Sequence, residues 1–231
     1  MEILNAPTNN NSKSVRVMFI ESKRKFKDSD INIKLLDGIK GKTISLTATI
    51  QYIGLIPKIK SYLESKGKKV IIKKGAYHKG HILGCNSSAF DKSTDTLLLI
   101  TDGKFHAINN AIQLQKEIYI FTTKTLEKIE QKEIEAYNKK IQIKKFKFLA
   151  ANNIGLILSV KQGQHTKSIF LTKDKIKKLN KNVYVFEADN IDTLEFENFP
   201  QIEIWVNTAC YGLARDDSKI INLSDILEFL N

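Results

Sequence analysis

The feature that most constrains the fold is the regular alternation of strand-like and helix-like segments. Residues 43–48 are rich in β-branched and apolar side chains, and residues 53–63 carry apolar residues at helical spacing. Gly67 ends that helical pattern, and residues 70–72 form a second short apolar run. A strand, a helix and a second strand in this order predict a βαβ unit, whose two strands lie parallel.

The same alternation continues along the chain. Further strands are predicted at residues 96–100, 118–121, 154–160, 183–188 and 202–206, with one more at 15–20. Helices are predicted at residues 105–114, 166–179 and 126–148, and Ser224 is expected to cap a last helix through Leu230. The sequence thus predicts an α/β fold of two Rossmann-like units, with parallel sheets flanked by helices.

The predicted helix at residues 126–148 is rich in Lys and Glu and is expected to connect the two units. On this basis, residues 1–42 form an N-terminal extension or the remnant of another domain. Residues 43–147 form the first α/β domain, and residues 148–231 form the second.

Composition restricts the class of protein. No apolar run approaches the roughly 18 residues of a membrane span, and the polar, Asn-rich start of the chain lacks the pattern of a signal sequence. We therefore expect a cytoplasmic protein. The net charge of +12 suits an anionic partner such as RNA, but the lysines are interleaved with acids, which is also typical of a solvated surface.

In parallel sheets, ligands bind at the carboxyl ends of strands. Four polar loops fall at such places: the glycine-bearing loop with Cys85, and residues 102–106, 162–165 and 207–217. The dinucleotide, P-loop, zincin and α/β-hydrolase motifs are all missing from the sequence. The chemistry of those enzyme classes is therefore not supported.

The two cysteines, Cys85 and Cys210, lie far apart and outside any CxxC pair. Reducing conditions make a disulfide between them a poor interpretation, so they are either buried thiols or metal ligands. His78 and His81, three residues apart, form only a weak metal pattern. The adjacent acids Asp216 and Asp217 form a paired-carboxylate site or simply cap a turn.

Read in order, these loops resemble the diphthamide synthase family, the archaeal 2-(3-amino-3-carboxypropyl)histidine synthases and their eukaryotic relatives. The resemblance rests on five short motifs in register: Thr47 to Tyr52 (TATIQY), Gly80 to Asn86 (GHILGCN), Asp102 to His106 (DGKFH), Ser159 to Gln164 (SVKQGQ), and Val206 to Cys210 (VNTAC) followed by Asp216-Asp217.

The resemblance implies a noncanonical radical enzyme of diphthamide biosynthesis. In that family a [4Fe-4S] cluster binds S-adenosylmethionine, whose 3-amino-3-carboxypropyl group is transferred to a histidine of elongation factor 2. By the resemblance, Cys85 and Cys210 are the metal ligands. The cofactor-binding candidates are Asp102, Gly103, Phe105, His106, Gln162, Gly163 and Gln164. A packing role for Phe105 and a turn role for Gly163 are the alternatives.

The chain also departs from the family pattern. Family members have three similar domains, each giving one cysteine, whereas this sequence has two cysteines and is expected to lack most of the first domain. The Pro-Arg that usually follows the last cysteine is replaced by Tyr211-Gly212, for which Arg215 is a candidate substitute.

Three interpretations follow from these departures. The chain is a truncated or split synthase subunit that needs a separate polypeptide for the third cysteine. Alternatively, it is a non-catalytic, family-derived partner of the synthase or of elongation factor 2. The weakest interpretation is a basic RNA-binding α/β module. A homodimer is compatible with the first two.

Overall fold

The computed structural model describes residues 20–84, 86–161, 169–215 and 217–230. The first half of the chain forms a five-stranded sheet in the order β2-β1-β3-β4-β5. Its strands are β1 (Thr43–Ala48), β2 (Lys69–Ile71), β3 (Thr96–Ile100), β4 (Ile118–Phe121) and β5 (Leu126–Ile129). The first four pair in parallel, and β5 joins the edge antiparallel to β4.

The second half forms a four-stranded, fully parallel sheet in the order β7-β6-β8-β9. Its strands are β6 (Asn153–Ser159), β7 (Asn182–Ala188), β8 (Ile204–Asn207) and β9 (Ile220–Asn222). The α-helices are α1 (Ile56–Ser65), α2 (Lys104–Leu114), α3 (Gln131–Ala150), α4 (Ile169–Lys177) and α5 (Leu223–Ile226). The predicted α/β fold with two parallel-sheet units is confirmed.

Strand β3 shows why a strand of the first sheet is a continuous run of apolar residues in the sequence. Leu98 and Ile100 pack in the core beneath α1, while Leu97 and Leu99 pack in a second core with α2. A strand covered on both faces needs apolar side chains on both, so alternation is lost. The same reasoning applies to β6, whose Leu156 and Ile157 lie in different cores.

Helix α3 connects the two sheets. It begins with a capping box in which the Glu133 side chain accepts a hydrogen bond from the Glu130 backbone N–H. Near its start Ile134 lies in the core of the first sheet, and near its end Phe148 lies in the core of the second. One helix about 30 Å long therefore contributes to both cores.

The predicted connector is wrong at its start. Residues 126–129 are β5, not helix, and the helix begins at Gln131. The turn before β5 explains the difference, because Thr123 has a positive φ of 74° and the Thr122 N–H donates to the Thr125 carbonyl, which closes a hairpin. The two central charged residues of Leu-Glu-Lys-Ile are tolerated in a strand at the edge of the sheet.

Other predicted boundaries also differ from those in the structure. Residues 50–55 form a 3-10 turn before α1, and the N-cap of α5 is Asn222, not Ser224. Residues 15–19 of the strand predicted at 15–20 and residues 166–168 of the helix predicted at 166–179 fall outside the described residues, and Ile20 is not part of a strand. The domain limits at 42/43 and 147/148 stay a prediction.

Both sheets have a point at which the connections change direction. The chain leaves β1 for β2 on one side and returns to β3 on the other, and it leaves β6 for β7 and returns to β8. At such points the loops after two neighbouring strands separate and leave a crevice at the carboxyl ends. The loops after β1, β3, β6 and β8 are therefore the places to look for a site.

Candidate functional site

The long loop between β2 and β3, which contains position 85, is hydrogen-bonded to the carboxyl end of β1. The Ala48 N–H donates to the Gly80 carbonyl at 2.8 Å, and the Ile82 N–H donates to the Ala48 carbonyl at 3.0 Å. Gly80 has a φ of +73°, and an added Cβ would lie 2.6 Å from Cδ1 of Ile56. A glycine is therefore required where this loop crosses the strand end.

The loop after β3 carries four of the predicted cofactor-binding residues, Asp102, Gly103, Phe105 and His106. Asp102 and Gly103 precede α2, and Phe105 and His106 lie in its first turn. Phe105 is 40% exposed and makes an edge-on contact with the His106 ring at 5.4 Å between centroids. The predicted location of these residues at a strand end is thus confirmed, whereas their binding role stays a prediction.

His106 is half-buried and has chemistry suited to a neutral ligand-binding group. Burial lowers its pKa, and the nearby Asp102 carboxylate acts in the opposite direction. Because burial is the larger effect, the imidazole is neutral at neutral pH. A neutral ring offers one donor and one acceptor to a bound molecule.

Cys210 lies in the loop after β8, and its thiol is free and exposed. Asn207, at the end of β8 and only 2% exposed, shapes this loop. Its Nδ2 donates to the Cys210 carbonyl at 2.8 Å, and its Oδ1 accepts from the Ala209 N–H at 2.9 Å. The backbone around Cys210 is therefore fixed, while the residue itself is exposed.

The two cysteine-bearing loops meet at Phe105. An added Cβ at Gly84 would lie 3.3 Å from Cε1 of Phe105, and one at Gly212 would lie 2.5 Å from Cζ of the same ring. Gly84 directly precedes Cys85, and Gly212 is two residues after Cys210. Loops from the two sheets therefore approach the same aromatic ring, with glycines where it lies close.

Two further residues border this meeting point. The Arg215 guanidinium lies 4.9 Å from the centroid of the Phe105 ring, a cation–π distance. Asn109, one turn after Phe105, is 1% exposed, and its Nδ2 lies near both glycines. Within the described residues its buried Oδ1 has no hydrogen-bond partner. A buried unpaired oxygen is costly, so this position is well placed to meet a donor from a ligand or a neighbouring loop.

The structure brings together the residues after β3, the Cys210 loop and the residue before Cys85. Cys85 itself, Gln162, Gly163 and Gln164 lie outside the described residues, as does Asp216, so their prediction is untested. Sequence reasoning missed Asn109, although its spacing of four from Phe105 on a helix places both on one face. It also missed Lys144, which nothing in the Lys-rich sequence of α3 singles out.

Iron–sulfur clusters are held by cysteine thiolates, and the residues present fit part of such a ligand set. Cys210 is exposed and lies two residues before Gly212, which packs against the same Phe105 ring as Gly84, the residue before Cys85. Over the described ranges, no group of three or more His, Cys, Asp or Glu side chains is arranged to hold a metal ion. In the same ranges no helix is both long and apolar enough to cross a membrane.

Two largely parallel sheets, each with a switch point, define a doubly wound α/β protein, and the loops next to positions 85 and 210 converge on one aromatic ring. Comparison with known proteins identifies its relatives. The family described as "Putative diphthamide synthesis protein" matches residues 5–220. The chain belongs to this diphthamide synthesis family.

Individual relatives agree with this assignment. The chain is 28% identical over 222 residues to the 2-(3-amino-3-carboxypropyl)histidine synthase of Methanocaldococcus jannaschii, covering 88% of this chain and 57% of that protein. A segment of 69 residues is 42% identical to subunit 1 of the same synthase from Gibberella zeae, covering 29% of this chain and 15% of that protein.

Solved structures give the same result. The crystal structure of Dph2 from Pyrococcus horikoshii matches with a TM-score of 0.76 and 25% identity, over 87% of this chain and 60% of that chain. The structure of the same protein with a 4Fe-4S cluster matches with a TM-score of 0.73 and 26% identity, over 82% of this chain and 57% of that one. The chain spans little more than half the length of the archaeal relatives it matches.

Proposed function

We propose that this protein contributes two thiolates, from Cys85 and Cys210, to a [4Fe-4S] cluster that binds S-adenosylmethionine. In this proposal it acts in the cytoplasm as a subunit in the first step of diphthamide biosynthesis. That step transfers the 3-amino-3-carboxypropyl group of S-adenosylmethionine to a histidine of elongation factor 2. A further polypeptide supplies the third thiolate.

The convergence of the two cysteine loops carries this proposal. Gly84 and Gly212 lie against the same Phe105 ring although they come from different sheets. A bound cluster requires its cysteines to reach one place, and positions 85 and 210 are both within two residues of that contact. The solved relative with a 4Fe-4S cluster supports the choice of cofactor.

The remaining candidate residues are proposed to hold S-adenosylmethionine. Asp102 and Gly103 follow β3, Phe105 and His106 begin α2 next to Gly212 of the Cys210 loop, and Gln162, Gly163 and Gln164 come after β6 in the sequence. A carboxylate, a neutral imidazole and amide groups can bind the amino acid and sugar portions of such a ligand by hydrogen bonds. When bound, the cluster would supply the one-electron chemistry, and Arg215 offers a positive charge for the carboxylate.

The count of cysteines is the reason for proposing a multi-subunit assembly. The sequence holds two cysteines, whereas the family resemblance calls for three thiolates. Several relatives are named as subunit 1 of the synthase, which supports an assembly of more than one polypeptide. The third thiolate is then provided from outside these 231 residues.

Anaerobic reconstitution with iron and sulfide tests the proposal. The full chain is reconstituted with and without a polypeptide carrying the remaining family domain, and bound iron is counted and examined by EPR. We expect about four irons per assembly in the complete mixture. Replacing Cys85 or Cys210 with Ala should abolish them, whereas Ser88→Ala, in the same loop as Cys85, should not. A complete mixture without iron contradicts the proposal.

A non-catalytic partner of the synthase or of elongation factor 2 is the second candidate. The shortage of thiolates in the sequence is the observation that favours it. This candidate gains support if the Cys85→Ala, Cys210→Ala double variant binds elongation factor 2 as tightly as the unaltered chain. It loses support if binding of elongation factor 2 requires the reconstituted cluster.

A further inference from the structure

The loop that follows Cys210 is held from three directions. Asn207 binds the Cys210 carbonyl from within the second sheet, and Phe105 of α2 lies against Gly212. The third contact comes from α3, where the Lys144 ammonium donates a hydrogen bond to the Ala214 carbonyl. The short 3-10 turn Tyr211–Ala214 is therefore fixed at both ends.

Lys144 is unusual among the many lysines of this chain because it is only 7% exposed. Burial lowers its pKa, and the main opposing influences are the carboxylates of Asp217 and Asp225. Lys140 and Lys147, on the same helix, act in the same direction as burial. Burying an ammonium is costly unless the ammonium is paired and hydrogen-bonded. The hydrogen bond of Lys144 is to the loop after Cys210.

Helix α3 gives this contact its consequence. The helix contributes to the cores of both sheets. A hydrogen bond from α3 to Ala214 therefore fixes the position of the loop relative to both sheets, not only to its own. Lys147, one turn further on, reaches the Ser218 carbonyl at 3.3 Å and extends the same attachment. The Cys210 loop is thereby held next to Phe105, where the loop of position 85 arrives.

We propose that Lys144 is a positioning residue that fixes the Cys210 loop against the first sheet. The value of this for cluster binding rests on the proposed function, but the positioning itself is a property of the chain alone. Lys144 acts through the Ala214 carbonyl, four residues after Cys210. The adjacent Lys145 provides a matched control, because it forms an ion pair with Glu228 at 2.7 Å.

Hydrogen–deuterium exchange of the full chain without iron tests the proposal. Lys144→Met keeps the apolar stem and removes the donor. We expect it to raise amide exchange at residues 211–215 about tenfold, with exchange in β6 and β8 unchanged. Lys145→Met should leave exchange of the loop within about twofold of the original, and Lys144→Arg, which restores a donor, should return it towards that value.

A nitroxide label on Cys210, in the Cys85→Ser chain, provides a second readout. Its EPR line shape should show greater mobility with Lys144→Met and an unchanged line shape with Lys145→Met. Equal exchange and equal mobility in the two variants overturn the proposal, as does a rise in exchange spread evenly over β6 and β8. Because no cluster is present in either measurement, failure of iron reconstitution and failure of this proposal are separate results.

Discussion

At the scale of single residues, His81 connects burial to pH dependence. It is 3% exposed, and its ring lies 5.7 Å from Tyr77 and 6.1 Å from His78 between centroids. Its Nδ1 has no hydrogen-bond partner within the described residues. Burial is the main cause of its lowered pKa, and the neighbouring His78 adds to the effect. The neutral imidazole is therefore the form that the fold accepts.

This environment predicts a loss of stability in mild acid. With a folded pKa below the ordinary value of about 6.5, the unfolded chain binds the proton more readily than the folded one. The free energy of unfolding should therefore fall as the pH drops below about 6.5. His81→Gln removes this group. The free energy of unfolding of the variant, relative to that of the original, should therefore rise as the pH falls from 7.5 to 5.

Urea unfolding across that pH range measures the difference. The comparison at pH 7.5 to 8.5 serves as the control, because the imidazole is neutral there in both folded and unfolded chains. A difference between variant and original that stays constant from pH 8.5 to pH 5 contradicts this account of His81.

At the scale of elements, the pairing of β6 with β8 is fixed by a glycine and a tryptophan. Gly155 and Trp205 are directly opposite in the parallel register, and Trp205 is 1% exposed. An added Cβ at Gly155 would lie 2.3 Å from Cε3 of Trp205. Phe186 and Phe196 lie 4.6 and 4.0 Å from the Trp205 ring between centroids, so the indole has little room to move.

Gly155→Ala should therefore destabilise the second sheet. Overpacking of a close-packed core typically costs about 1–3 kcal/mol, and the position of the indole puts this site towards the upper end. Gly54→Ala is the matched control, because an added Cβ at Gly54 would have no atom within 4 Å. Denaturant unfolding should show a large loss for the first variant and little for the second. Equal stabilities would mean that the Trp205 ring does not lie over Gly155.

The elements also show how far sequence patterns reach. The long apolar strands β1, β3 and β6 and the helices after them were predictable, because burial on both faces or on one helical face leaves a clear period. Strand β5 was not, because its four residues carry a pattern that also suits a charged helix. The turn at Thr123 and the pairing of β5 with β4 decide between a strand and a helix here.

At the scale of the whole molecule, the strand-end rule located the loops but not their meeting. That Asp102 to His106 and Cys210 follow strands was predictable from the order of elements. The approach of Gly84 and Gly212 to one ring depends on how the two sheets pack against each other. The periodicity of apolar residues in the sequence carries no information about that packing. The Lys144 contact is of the same kind, since it joins a helix to a loop seventy residues away.

The most direct test of the central claim is the proximity of the two sulfurs. Cys85 and Cys210 are the only cysteines of the sequence, so nitroxide labels can be attached to both without altering any other residue. If the two loops converge, the EPR spectrum of the doubly labelled chain should be broadened by dipolar coupling beyond the sum of the Cys85→Ser and Cys210→Ser single-label spectra. A doubly labelled spectrum equal to that sum would place the thiols too far apart to bind one cluster and would contradict the account.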